Sequence, residues 1–390
     1  MKYDIVVIGA GIQGAGVAQA AVAAGYSVLV VEKTAPAAGT SSKSSKLIHG
    51  GLRYLESAQF GLVRESLRER ALLLRLAPEL VKLRPLHIPV YEHSTRSALT
   101  IRAGLSLYAG LAGFDKNSRF SQLSRSEWNG LAGLKQQGLK AVFRYHEAQT
   151  DDAALTRSVL QSAILLGADI LMPARFVAAE RNGQCCKVDI ETESGSQTIS
   201  CRVLVNCAGP WATEVLANIT PAVAHPEVEL VQGSHLLLPP LLSQYFYLEA
   251  PQDKRAVFVL PWEGQLMVGT TEKMHHERPE TAFCSDEEKA YLLATLQHYF
   301  PELPLPDASQ INSFAGLRVL PKSDKAAFGR SRDVIFSVDN EQQPRVLSVM
   351  GGKLTTYRAT AEAALARIMP SLPTKERRAD TRLVSLIPVH

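Results

Sequence analysis

The chain has 390 residues, 46% of them hydrophobic and 21% charged, which supports a full core and about two domains and excludes a disordered protein. Its net charge of +4 is too weak to argue for nucleic acid and suits a small anionic ligand or a membrane surface. No run reaches the ~18 apolar residues of a membrane span, and Asp4 interrupts the N-terminal apolar stretch, so neither a spanning helix nor a signal peptide is expected. The five cysteines, Cys185, Cys186, Cys201, Cys207 and Cys284, show no metal spacing and read as reduced thiols of a cytoplasmic protein.

Tyr3 to Ile8 is a short apolar run rich in β-branched residues, the pattern of a buried parallel strand. Gly9-Ala10-Gly11-Ile12-Gln13-Gly14 follows at once as G-x-G-x-x-G. An alanine-rich helix runs to Ala24, Gly25 stops it, and Ser27 to Val31 is a second strand ending in Glu32. Gly9 serves the tight turn, Gly11 lets a pyrophosphate approach the backbone, and Gly14 allows close helix–strand packing. The helix N-terminus offers free N–H groups to an anion. Glu32 can accept from both hydroxyls of an adenosine ribose. The order of these parts predicts a dinucleotide site, NAD or FAD.

Next comes Gly39-Thr40-Ser41-Ser42-Lys43-Ser44-Ser45-Lys46-Leu47-Ile48-His49-Gly50-Gly51-Leu52-Arg53-Tyr54. Its hydroxyls and N–H groups suit a phosphate, and Gly50-Gly51 would let the backbone pass a flat ring. This tract resembles the signature of the FAD-dependent glycerol-3-phosphate dehydrogenases, within the D-amino-acid-oxidase-like superfamily. The resemblance implies non-covalent FAD. It assigns Gly9, Gly11, Gly14, Glu32, Lys33, Thr40, Ser41, Ser42, Lys46, Leu47, His49, Gly50 and Gly51 to the cofactor, and Arg53 and Tyr54 to the substrate. His49 reads as a flavin neighbour and not as a base.

Phe60 to Leu83 reads as one long amphipathic helix, with Arg64, Glu65, Arg68, Glu69 and Arg70 on its wet side and Pro85 ending it. In His87 to Phe114, a helix around Leu99–Tyr108 either packs on the domain surface or docks shallowly on a membrane, with Arg96, Arg102 and Arg119 near headgroups. The resemblance favours docking, because that family includes peripheral enzymes feeding quinone. Asp151 or Asp152 caps a helix running to Gly167. Residues 169–201 read as a meander with a turn at Asn182-Gly183. Arg202 to Asn206 is another buried strand, closed by Cys207-Ala208-Gly209-Pro210-Trp211. By resemblance this turn sets Ala208, Gly209 and Trp211 beside the adenine half of FAD.

Residues 225–317 alternate apolar and polar residues between Pro and Gly, which predicts a largely antiparallel sheet. Val231-Gln232-Gly233-Ser234-His235, Phe258-Val259-Leu260-Pro261-Trp262, Val268-Gly269-Thr270-Thr271-Glu272 and Phe314-Ala315-Gly316-Leu317-Arg318 all match segments of the family. Arg345 to Met350 is a last strand, running into Gly351-Gly352-Lys353-Leu354-Thr355-Thr356 and a helix to Ile368. The expected fold is α/β with α+β character. A Rossmann-like FAD-binding domain with a central parallel sheet takes 1–85, 141–224 and 318–390. A substrate domain on a largely antiparallel sheet takes 86–140 and 225–317. Two departures stand out: Gln232 replaces a common Arg, and the C-terminal helical domain usual in bacterial members is not expected here.

Oxidising a secondary alcohol with flavin moves a hydride to flavin N5 and a proton to a base. The site therefore needs an anion clamp, a proton acceptor and positive potential near flavin N1. Gly352, Lys353, Leu354 and Thr355, at a helix start, answer the last. Arg53, Arg318, Arg332 and Lys353 answer the first by resemblance, since arginine forks grip phosphate or carboxylate. His235 is the best base by residue type, with an ordinary pKa near working pH. Arg318 could instead polarise the hydroxyl. The expected reaction is oxidation of sn-glycerol 3-phosphate to dihydroxyacetone phosphate, with electrons passed to quinone by an enzyme that is cytoplasmic or peripheral on the inner face of the membrane. The alternatives are oxidation of another small anionic alcohol, a 2-hydroxy acid or an amino acid, or flavin binding without turnover.

Overall fold

The computed structural model describes residues 2–323 and 333–389, so Arg332 lies outside the described residues. The first sheet is centred on Tyr3–Ile8, whose six residues are all buried. It runs parallel to Val28–Val31 on one side and to Gly195–Asn206 on the other. Asp169–Leu171 and Val346–Met350 extend this parallel core outward. Both faces are covered, which is why these strands read as continuous apolar runs and not as alternations. Helix Ile12–Ala23 packs against helices Asp152–Leu165 and Tyr357–Ile368, its small alanines allowing close approach. The antiparallel ladder Ala174–Arg181, Cys186–Thr192 and Gly195–Asn206 widens the sheet, and the Asn182 side chain accepts from the Gln184 and Cys185 N–H groups at its turn.

The second sheet is antiparallel except where Tyr245–Glu249 runs parallel to Val81–Tyr91. At one end Val228–Leu238 pairs with Gln265–Gly269, Lys273–His275 and Asn312–Pro321. At its far end Val81–Tyr91 pairs with Leu139–Thr150, which also carries the short strand Leu47–Ile48. The boundaries at 85/86 and 140/141 thus fall inside two strands that pair with each other.

Three local readings of the sequence need correction. The helix expected to Leu83 is Phe60–Leu76, and Val81–Tyr91 is a strand that contains Pro85. Val81 is buried and Leu83 half-buried, while Lys82 and Arg84 point to solvent; this is period 2, not a helical stripe. Only Arg64, Glu65 and Arg68 are wet; Glu69 and Arg70 are buried and ion-paired, to Arg358 and Glu147 respectively. Within 225–317 the sheet is interrupted by helix Asp286–Tyr299, which sequence reading missed. Its signal was present: Ser285 and Glu288 form a capping box, each side chain bonding the other's backbone N–H.

Candidate active site

A cleft of about 1120 Å³ runs between the two sheets, lined by both. One end is built by the N-terminal motif. Gly9 has φ +99° and Gly14 packs so tightly that a Cβ there would lie 1.9 Å from the Gly9 carbonyl oxygen. Helix Ile12–Ala23 starts at Gly11 with no side-chain cap and no acidic residue in its first turn, which leaves its positive end to an external anion. The Ile12 N–H is held by Ser41 Oγ at 2.9 Å, so the Thr40–Ser42 turn is docked on that helix start. Glu32 sits at the end of its strand, and its carboxylate accepts from the Ala10 N–H at 2.8 Å and the Thr34 N–H at 2.9 Å. Trp211 closes this end: Lys33 Nζ lies 4.0 Å from its ring centroid, and its indole N–H donates to Glu280 at 2.5 Å.

Gly9, Gly11, Glu32, Lys33, Thr40, Ser41, Leu47, His49, Gly51, Arg53, Tyr54, Ala208, Gly209, Trp211, His235, Arg318, Gly352, Lys353, Leu354 and Thr355 all line the cleft. Gly14, Ser42, Lys46 and Gly50 do not. Lys46 points inward, where its Nζ pairs with buried Asp152 at 2.6 Å and donates to the Ser42 carbonyl at 2.7 Å. Asp152 also accepts from the Ser44 N–H at 2.9 Å, so this carboxylate pins the whole Ser42–Lys46 turn. Asp151, not Asp152, caps the helix, accepting from the Ala154 N–H. Gly50 is needed for a neighbour behind it: a Cβ would meet the Tyr108 hydroxyl at 2.3 Å, and the Gly50 N–H donates to that hydroxyl at 2.9 Å. Tyr108 in turn bonds Glu147, which is ion-paired to Arg70. Burial pushes the Glu147 carboxyl upward, against the opposing pull of Arg70 and the Tyr108 hydroxyl.

Two cationic groups flank Tyr54. Lys353 Nζ lies 4.0 Å and Arg53 Cζ 5.6 Å from its ring centroid. Arg318, on Asn312–Pro321, is the register partner of Val231 on Val228–Leu238, and its guanidinium covers Gly233, where a Cβ would be only 2.6 Å from Arg318 Nη2. Arg318 donates to Thr270 Oγ1 at 3.2 Å and to Glu272 Oε2 at 3.3 Å. Arg255 holds the same Glu272 oxygen at 3.1 Å. His235 is 2% exposed, stacks on Phe314 at 4.8 Å, and has Nε2 2.9 Å from Ser45 Oγ. Its pKa is not near working pH as residue type suggested. Burial, then the positive charges of Arg318 and Lys46, lower it to about 3. Sequence reading gave no site role to Glu147, Asp152, Arg255, Thr270 or Glu272. Asp152 looked like a helix cap, and acids that act through arginines have no spacing of their own.

The cleft's donor set fits FAD. The helix start, with no acidic residue in its first turn, and the glycine turn would take the pyrophosphate, and Glu32 the ribose. Gly352 has φ +87° and lies against Gln13, whose buried Oε1 has no partner among the described residues. The model of the family described as "FAD dependent oxidoreductase" matches residues 4–358, and the chain belongs to that family. It is therefore an FAD-dependent oxidoreductase. Among its relatives is the glycerol-3-phosphate dehydrogenase of Pseudomonas aeruginosa, 38% identical over 374 residues that cover 94% of this chain and 72% of that one. The D-erythritol 1-phosphate dehydrogenase of Brucella abortus is 37% identical over 377 residues, 95% of this chain and 74% of that one. In structure the chain is similar to the glycerol-3-phosphate dehydrogenase of Bacillus halodurans complexed with FAD, with a TM-score of 0.74 and 26% identity over 99% of this chain and 68% of that one.

Proposed function

We propose that the chain oxidises sn-glycerol 3-phosphate to dihydroxyacetone phosphate. The observation that carries this is the pairing, in one cleft, of a cationic end at Arg53, Tyr54 and Lys353 with a second polar group at Arg318 and His235. A phosphate suits the first group, where a guanidinium and an ammonium both lie against the Tyr54 ring. Bound FAD supplies the hydride acceptor at N5. Arg318 donates to the secondary hydroxyl and lowers its pKa, favouring an alkoxide as the C–H bond breaks. His235 takes the proton at Nε2, through the Ser45 hydroxyl that lines the cleft. The cations that weaken the imidazole as a base also acidify the alcohol, so transfer between the two loses less than the lowered pKa alone implies.

Quinone is the proposed electron acceptor, reached at the face of a membrane. Among the described residues no helix is long and apolar enough to cross one. Helix Ala98–Leu111 buries Leu105, Tyr108 and Ala109, and leaves Leu99 77% and nearby Phe114 72% exposed. Arg102 and Arg119 are exposed beside them, whereas Arg96 is held by Glu56 and Glu249. Binding to anionic vesicles should fall as salt rises, because headgroup attraction is screened over about 10 Å at 0.1 M salt. No co-sedimentation at low salt would leave this helix as ordinary surface.

The substrate reading is tested by mixing the FAD-loaded protein anaerobically with glycerol 3-phosphate, D-erythritol 1-phosphate, lactate and alanine. Glycerol 3-phosphate should bleach the oxidised flavin band at the lowest concentration. Bleaching by lactate or alanine in preference would give the cleft to acids. No bleaching by any would support a flavin-binding protein without turnover.

A further inference from the structure

Arg318 stands in the wall of the cleft with a carboxylate already against it. Glu272 lines the same cleft, has a side chain only 4% exposed, and sits 3.3 Å from Arg318 and 3.1 Å from Arg255. Thr270, two residues earlier, accepts from the other terminal nitrogen of Arg318 at 3.2 Å. An arginine fork in an open pocket would be a good receptor for a substrate carboxylate. Here an incoming carboxylate at Arg318 would meet the Glu272 charge a few ångströms away, in a place where water screens little. Juxtaposed like charges of that kind reject a partner more effectively than a lost contact does. A neutral hydroxymethyl group carries no such penalty, and can donate to the glutamate as well as accept from the arginine.

We infer that Glu272 is a specificity-determining residue, which makes Arg318 a donor for neutral alcohol groups and excludes substrates with a carboxylate next to the reacting carbon. The inference rests on the proposed function, since it takes Arg318 to face the reacting end of a polyol phosphate. It deepens that reading by naming the class admitted, phosphorylated polyols, and the class refused, phosphorylated or free 2-hydroxy acids. Arg255 has a positioning role. It holds Glu272 from the other side, so that the carboxylate stays in place beside Arg318 instead of turning away to a wetter position.

A matched pair of ligands tests this. Glycerol 3-phosphate and 3-phosphoglycerate share the phosphate and the secondary hydroxyl, and differ in a terminal hydroxymethyl against a carboxylate. Anaerobic calorimetric titration of the FAD-loaded parent, its flavin first reduced so that glycerol 3-phosphate cannot react, should show 3-phosphoglycerate binding about 100-fold more weakly than glycerol 3-phosphate. Glu272→Gln keeps the shape and removes the charge. It should narrow that gap at least about tenfold, chiefly by tightening 3-phosphoglycerate, while inorganic phosphate binds as in the parent. Glu272→Asp should keep the gap. Equal affinity of the parent for the two ligands would overturn the inference without any variant. So would a gap that Glu272→Gln leaves unchanged, or one that closes only because inorganic phosphate also tightens, which would be a general field effect. If glycerol 3-phosphate itself neither binds nor reduces the flavin, the proposed function fails and this inference with it, a result distinct from equal binding of the pair.

Discussion

At the scale of single residues, the roles separate by what each charge does during the reaction. In the proposed reaction Arg318 acts on charge that develops at the reacting oxygen. Arg318→Ala should slow flavin reduction by about 10²–10³ while the protein stays yellow, as is typical for the loss of one preorganised donor. In the same proposal Arg53 grips a phosphate that does not change, so Arg53→Ala should raise KM and leave kcat nearly intact. Rapid-mixing flavin reduction by glycerol 3-phosphate reads both, and a parental reduction rate in Arg318→Ala would put the reacting end elsewhere. His235 makes a different prediction, about pH. Its folded pKa of about 3 lies below the ordinary 6.5, so the unfolded chain binds a proton first as pH falls. Stability is therefore lost as pH drops from 6.5 toward 3. Between pH 7 and pH 5 this histidine alone should cost about 2 kcal/mol. Denaturant titrations of the FAD-loaded parent and of His235→Gln at both pH values check this. The parent should lose more stability than the variant, and equal losses would mean that the imidazole is not held neutral.

At the scale of elements, helix Phe60–Leu76 shows where the sequence was and was not legible. Its polar residues were read as a wet stripe, but Arg70 and Glu69 are the inner ends of buried ion pairs that fasten the helix to Leu139–Thr150 and Tyr357–Ile368. Nothing local distinguishes an arginine facing water from one facing a glutamate 77 positions away. The partner becomes visible only when the sheet forms. The glycine motif, the strand before it and Glu32 were legible because their spacing is itself the geometry. The same contrast holds in the flavin tract: Ser41 could be placed from its motif, whereas the tie from Lys46 to Asp152 could not. Arg70 also carries the support under Gly50, through Glu147 and Tyr108. Arg70→Met should destabilise the protein by roughly 3–5 kcal/mol, because it leaves the Glu147 carboxyl buried without its counter-charge. Adding Glu147→Gln should return part of that loss. Thermal unfolding of the single and double variants measures it, and purely additive losses would show that the two groups do not act as a pair.

At the scale of the whole molecule, two sheets of opposite character divide the work. The parallel sheet ends its strands at a glycine turn and a helix start, a place for the pyrophosphate. The antiparallel sheet sets Arg318, Glu272 and His235 on adjoining strands and turns, held in register by Val228–Leu238. The cleft between them is large enough for a dinucleotide and a small substrate together. The central claim is that this one cleft takes a hydride from glycerol 3-phosphate, and a single turnover tests it most directly. FAD-loaded protein, mixed without oxygen with a limiting amount of glycerol 3-phosphate, should lose one equivalent of oxidised flavin for each equivalent of dihydroxyacetone phosphate formed. Product without flavin loss, or an unchanged flavin band with the substrate intact, would contradict the account.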